Sequence, residues 1–129
     1  MEEHVIEIEL KKLLEDRSNS RCADCGSTLE KQRNKIYISI KNGVFVCKSC
    51  GEIHKEMEAV KLIAEIKVKD IGYLDTGGNR RFHEFMQTYD LNIPDIRAKY
   101  KSKAAEYYRS QVKKMIMIVE SYCRTPFIH

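Results

Sequence analysis

Two short cysteine pairs constrain this chain more than any other feature: Cys22 and Cys25, then Cys47 and Cys50, with two residues inside each pair and 21 between the pairs. Two intervening residues let both sulfurs of a pair reach one ion, and two such pairs complete a tetrahedron. The gap is slightly longer than the roughly 15 to 20 residues common in four-cysteine zinc sites. Four thiolates close the coordination sphere, so a single zinc ion held by Cys22, Cys25, Cys47 and Cys50 is expected to be structural. His54, just beyond Cys50, offers a further donor, since imidazole also binds zinc. Cys123 lies far from the cluster and reads as a plain thiol.

With 129 residues, 43% of them hydrophobic and 33% charged, the chain has the size and balance of one globular domain. It is read as a single domain over 1–129, with a zinc module at about 20–56 and a helical continuation at about 79–122. No apolar run approaches the roughly 20 residues that cross a bilayer. Glu2, Glu3, Glu7 and Glu9 occupy the place of a signal peptide's basic start, so a cytoplasmic location is expected. There, tight cysteine pairs hold metal in preference to forming disulfides. The net charge of +4 is modest for a nucleic-acid binder but would assist contact with an anionic membrane leaflet.

Ile6, Leu10, Leu13 and Leu14 recur at helical steps and predict an amphipathic helix over Val5 to Glu15, stopped by Ser18, Asn19 and Ser20. Ile36, Ile38 and Ile40 alternate with polar neighbours, and Asn42-Gly43 then leads to Val44, Phe45 and Val46. This predicts a hairpin with a type I′ turn that returns the chain to Cys47. A short helix is expected over Gly51 to Met57. Every second position from Val60 to Val68 is apolar, which predicts a half-buried strand, and Gly72, Gly77 and Gly78 read as punctuation after it. Asn79 is placed to cap a helix carrying Phe82, Phe85, Met86 and Tyr89 on one face. Ile96 to Val119 suits one long helix or two in series, with Tyr100, Ala104, Tyr108, Val112, Met115 and Val119 on a common face.

Zinc sites recur across unrelated activities, so the flanking residues decide. Cys22-Ala23-Asp24-Cys25-Gly26, Gly43-Val44-Phe45-Val46-Cys47 and Cys50-Gly51-Glu52-Ile53-His54 together resemble the signature of the ArfGAP domain family, the GTPase-activating domains for ADP-ribosylation factors. Asp70-Ile71, Gly77-Gly78-Asn79 and Phe82 with Phe85 resemble that family's helical continuation. The run from Lys99 to Arg109 resembles its Golgi-type subgroup. The resemblance spans roughly Leu10 to Val112.

That resemblance implies an α+β fold, a small zinc-stabilised antiparallel sheet surrounded by helices. It also implies a GTP-loaded ADP-ribosylation factor as partner, in vesicle traffic, with recruitment to Golgi or vesicle membranes. The partner would carry the nucleotide, since this sequence has no GxxxxGK[ST] phosphate loop. On this reading the chain is a monomeric regulator with no reaction centre of its own. Neither His83 with Glu84 nor His54 with Glu52 resembles a nucleophile with an oriented base. The partner-binding residues carried over are Ile53, His54 and Lys55.

Three features depart from the family, the first being five extra residues between Cys25 and Tyr37. Tyr37 stands where its Trp-Ala-Ser run begins, and Lys55 takes the place of the arginine inserted beside the transferring phosphoryl group. An arginine finger is worth about 10³ to 10⁵ in rate because its planar fork spreads directed donors over the phosphate oxygens. Lysine brings a compact, strongly hydrated point charge. Lys55 as the catalytic position therefore implies weak activation, and the alternative is a binding module that engages its GTPase without efficient activation. A third reading is a nucleic-acid-binding zinc module using Lys31, Arg33, Lys35 and Lys41 around Tyr37, although no repeated aromatic platform accompanies them.

Overall fold

The computed structural model of the protein describes residues 2–29 and 35–124, the side chains of 122–124 excepted. Lys31, Arg33 and the Cys123 side chain lie outside that description. Helix α1 (Glu2–Glu15) buries Leu10 and leads into a 3-10 turn, Arg17–Ser20. The first knuckle follows, then strands β1 (Tyr37–Ser39) and β2 (Val44–Val46), helix α2 (Lys48–His54) and strand β3 (Val60–Leu62). Helices α3 (Val68–Thr76), α4 (Asn79–Thr88), α5 (Ile96–Lys101) and α6 (Lys103–Arg124) complete the order.

The described strands form an antiparallel sheet in the order β2-β1-β3, with Tyr37 opposite both Val46 and Leu62. Ile36, Ile38, Val44, Phe45 and Val46 are all fully enclosed. Both faces of the central strand are covered, because Tyr37 and Ser39 lie under α2 while the isoleucines face the opposite side.

The hairpin is present but its turn differs from the expected type I′. Ser39 pairs with Val44, leaving a four-residue loop. Gly43 takes a positive φ of 63°, while Asn42 does not. Gly43 donates to both Ser39 O (2.9 Å) and Ile40 O (3.0 Å), as a type I turn closed by a left-handed glycine does. Asn42 is thereby free to use its side chain inside the protein.

The strand expected over Val60 to Val68 stops at Leu62. A 3-10 turn at Ile63–Glu65 follows, and Val68 opens α3. Asp70 sets that start: its Oδ2 accepts from the Lys67 backbone N–H at 2.9 Å and from Lys61 Nζ at 2.9 Å. Gly72 therefore lies inside a helix, where it costs about 1 kcal/mol relative to Ala but breaks nothing.

Asn79 does not cap its own helix. Gly78 takes the cap position with φ 92°, and the Asn79 backbone N–H donates to Asn19 Oδ1 at 2.9 Å. The Asn79 side chain instead accepts from Phe45 N (2.8 Å) and donates to Ser18 O (3.0 Å), Arg21 O (2.7 Å) and Phe45 O (3.1 Å). One buried amide thus joins α4, the 3-10 turn, the first knuckle and β2.

The last helical stretch is two helices, divided at Ser102. Its extended backbone ends α5, and its Oγ accepts from Ala105 N at 3.2 Å to open α6. Phe82 and Tyr100 stack at 5.1 Å, with Tyr108 edge-on to Phe82, and this aromatic group packs α4, α5 and α6 together.

Candidate metal centre and the face beside it

Cys22 and Cys25 sit on the first knuckle, where Gly26 adopts φ 76° and Ala23 N donates to Phe45 O at 3.0 Å. Cys47 follows β2 directly and caps α2, and Cys50 lies one turn into that helix. The four sulfurs fall within 4.8 Å of one another. A tetrahedron with metal–sulfur distances of about 2.3 Å has edges of about 3.8 Å. Cys25 Sγ and Cys47 Sγ are 3.7 Å apart, which suits that edge and is far from a disulfide length.

Backbone N–H groups of Asp24 and Cys50 point at Cys22 Sγ and Cys47 Sγ at 3.4 and 3.5 Å, the donors that thiolates need. The hydrogen bond from Cys50 holds the Cys22 thiol down at about 5, against burial. Burial first, and then the nearby Cys22 charge, push Cys47 up, while Cys50 is driven up chiefly by its hydrogen bond to Cys22. Four sulfurs this close compete for one negative charge, and a divalent cation removes that competition by binding all of them deprotonated.

His54 is not among the clustered donors. It is fully buried at the end of α2, with Nε2 2.7 Å from Asp24 Oδ2 and Nδ1 3.1 Å from Ser39 Oγ. Asn42 Nδ2 donates to Ser39 Oγ at 2.9 Å, and Arg109 donates to Asn42 Oδ1 at 3.0 Å. These contacts link Arg109 through Asn42, Ser39 and His54 to the Asp24 carboxylate. Asp24 also accepts from Tyr100 OH at 2.7 Å and Lys99 Nζ at 3.2 Å. Burial pushes the Asp24 carboxyl up, but hydrogen bonds from His54 and Tyr100 and the neighbouring positive charge hold it below the usual carboxylate range. Burial and the Asp24 charge push Tyr100 well up.

Lys55, the next residue, is exposed. Its Nζ lies 3.2 Å from Glu52 Oε1 and 4.8 Å from the centre of the Tyr37 ring. Glu52 holds its ammonium above the usual lysine range. The two positions that the sequence resemblance marks as departures therefore touch each other. Gly51 makes room for this arrangement, since a Cβ there would fall 2.9 Å from the Tyr37 ring. Glu56 beyond Lys55 is clamped by Arg97 through contacts of 2.9 to 3.1 Å, which ties this end of α2 to α5.

The structure thus sends the three residues after Glu52 in different directions: Ile53 half-buried, His54 inward and Lys55 out. Of the basic group near the hairpin, Lys35 is exposed and Lys41 lies 4.0 Å from Glu58. Residue-by-residue reading had no signal for the joint work of Asp24, Ser39, Asn42, Lys99, Tyr100 and Arg109, which are spread over 86 residues of sequence. Their spacing matches no local motif, so nothing in the sequence joined them.

Comparison with known proteins bears on the same features. The family model "ArfGap: Putative GTPase activating protein for Arf" matches residues 7–120. ADP-ribosylation factor GTPase-activating protein 3 of Macaca fascicularis is 28% identical over 112 residues, covering 81% of this chain but 21% of that protein. A Saccharomyces cerevisiae ADP-ribosylation factor GTPase-activating protein is 27% identical over 103 residues, covering 74% of this chain and 28% of the yeast protein. A "putative GTPase activating protein for ADP ribosylation factor" from Cryptosporidium parvum shares the fold, with a TM-score of 0.75 and 21% identity over 90% of this chain and 94% of that one. The chain spans less than a third of the curated relatives' length. With a family model covering nearly all of the described fold, the chain belongs to the ArfGap family.

Proposed function

We propose that this domain binds the GTP-loaded form of an ADP-ribosylation factor and stimulates its GTP hydrolysis weakly. The relatives named as activators of that GTPase support the reading. The carrying observation is the position of Lys55, exposed at the end of α2 directly after the enclosed His54 and beside the Tyr37 ring. A cation is presented on a rigid base, but as a point charge without the fork that spreads donors over a phosphoryl group.

One structural zinc ion held by Cys22, Cys25, Cys47 and Cys50 would fix the base, and the sulfur spacing fits that ion. Ile53 and Lys55 would meet the partner, with His54 acting from behind by holding the helix end. The domain would act as one unit, in the cytoplasm and at vesicle or Golgi membranes where its partner carries GTP.

The test is twofold: binding of the zinc-loaded domain to the factor in its GTP and GDP forms, and single-turnover hydrolysis with the factor on vesicles. Preference for the GTP form with a modest rate increase supports the proposal. No preference between the two nucleotide states overturns it.

A further inference from the structure

The end of α2 carries two cations, each held by a carboxylate beside it. Lys55 Nζ rests on Glu52, and the Arg97 guanidinium meets both carboxylate oxygens of Glu56 through Nε and Nη2 at 2.9 to 3.1 Å. Glu52 precedes Lys55 by three residues and Glu56 by four, the spacings at which side chains of a helix are neighbours. The backbone keeps turning through this stretch, since Lys55 N–H donates to Gly51 O at 3.0 Å and Glu56 N–H to Ile53 O at 3.1 Å. A planar guanidinium from α5 therefore stands on the same surface as Lys55.

Its base is fixed relative to that surface. Lys99 and Tyr100 of α5 are buried and reach Asp24 Oδ1 at 3.2 and 2.7 Å, while His54 of α2 reaches Oδ2 of the same carboxylate at 2.7 Å. Arg97 lies two residues before Lys99, about 160° round the helix from it, and leaves 52% of its side chain exposed. Other arginines among the described residues are tied elsewhere. Arg80 pairs with Asp16, Arg81 bonds the carbonyls that end α3, and Arg109 turns inward to Asn42 and Tyr100 O.

We propose, on the reading that this domain binds a GTP-loaded ADP-ribosylation factor, that Arg97 supplies to the partner's nucleotide the fork that Lys55 lacks. In the free domain Glu56 holds the fork, which keeps native stimulation weak. An exposed ion pair is readily broken, and phosphate oxygens accept the same two directed donors. In the complex the guanidinium leaves Glu56 for the γ-phosphate oxygens. Water attacks the γ-phosphorus, the bond to the β–γ bridging oxygen breaks, and GDP leaves with that electron pair. Both protons of the water depart with the inorganic phosphate. Arg97 keeps its own proton and acts only on the spreading negative charge.

The test is single-turnover hydrolysis by a vesicle-bound, GTP-loaded ADP-ribosylation factor at saturating zinc-loaded 129-residue chain, comparing native, Arg97→Ala, Arg97→Lys and Glu56→Gln. Melting curves and binding to the GTP form are read for each. Arg97→Ala and Arg97→Lys should both lower the maximal rate about tenfold, with binding changed less than about threefold, since lysine keeps the charge and loses the fork. Glu56→Gln should raise that rate about two- to fivefold by releasing the fork. A pair that only ties α2 to α5 would respond alike to loss of either partner. Rates that fall together in Arg97→Ala and Glu56→Gln therefore overturn the proposal, as does native stimulation left unchanged in Arg97→Ala. A native chain that neither stimulates nor prefers the GTP form overturns the function proposed above, and the role of Arg97 with it.

Discussion

His54 is fully enclosed, with Asp24 at 2.7 Å on one ring nitrogen and Ser39 at 3.1 Å on the other, whereas Lys55 leaves 43% of its side chain exposed and rests on Glu52 and the Tyr37 ring. One peptide bond separates a residue fixed from several directions from one held by a surface contact. By the resemblance read from the sequence, the inward residue keeps the family pattern and the outward residue departs from it. Replacing His54 would disturb four elements at once, through Asp24, Ser39, Asn42 and Arg109. Replacing Lys55 changes only what the surface presents.

The first way to break that comparison is to remove its common base. A chelator, or Cys22→Ser with Cys47→Ser, should unfold the domain. Structural zinc contributes on the order of 10–16 kcal/mol to small modules, as much as or more than a domain's net stability of about 5–15 kcal/mol. Circular dichroism with elemental analysis reads it, with about one zinc per chain expected in the native protein. A folded, metal-free chain would remove the base altogether.

The inward side is tested by Asp24→Ala, which leaves Lys99 buried without its carboxylate and His54 and Tyr100 without their acceptor. A loss of about 3–5 kcal/mol is expected in denaturant titration of the zinc-loaded protein. Lys55→Ala in the same experiment should leave the midpoint unchanged. Equal losses at both positions would erase the distinction between the two sides.

Gly51→Ala sharpens the boundary. The new Cβ would meet the Tyr37 ring at 2.9 to 3.1 Å, so the ring must shift, at a cost of about 1–3 kcal/mol. Because that ring supports Lys55, the substitution should also lower GTPase stimulation while leaving zinc content at the native value.

Much of this arrangement was legible in sequence because its signals are local. The cysteine spacing gave the cluster, and alternation around Asn42-Gly43 gave the hairpin. The path from Ile63 to Thr76 escaped the reading because the alternation from Val60 to Val68 overlaps a second apolar set, Ile63, Ile66, Ile71 and Leu74, at three- to five-residue steps. All four of those residues are buried, and the Asp70 bond to Lys67 N selects the helix. Asn79 was read as a cap because caps are a local rule, yet its partners lie at Ser18, Arg21 and Phe45. The network on Asp24 was invisible for the same reason, since its members are adjacent only after folding.

Lys55 is proposed as the position that limits activation, and single-turnover GTP hydrolysis by a vesicle-bound, GTP-loaded ADP-ribosylation factor tests this most directly, with the native chain, Lys55→Arg and Lys55→Ala side by side. The native chain should stimulate weakly and Lys55→Ala less still. Lys55→Arg should exceed native at least several-fold, recovering part of the roughly 10³ to 10⁵ assigned to an arginine finger. Strong native stimulation unaffected by Lys55→Ala would contradict the claim.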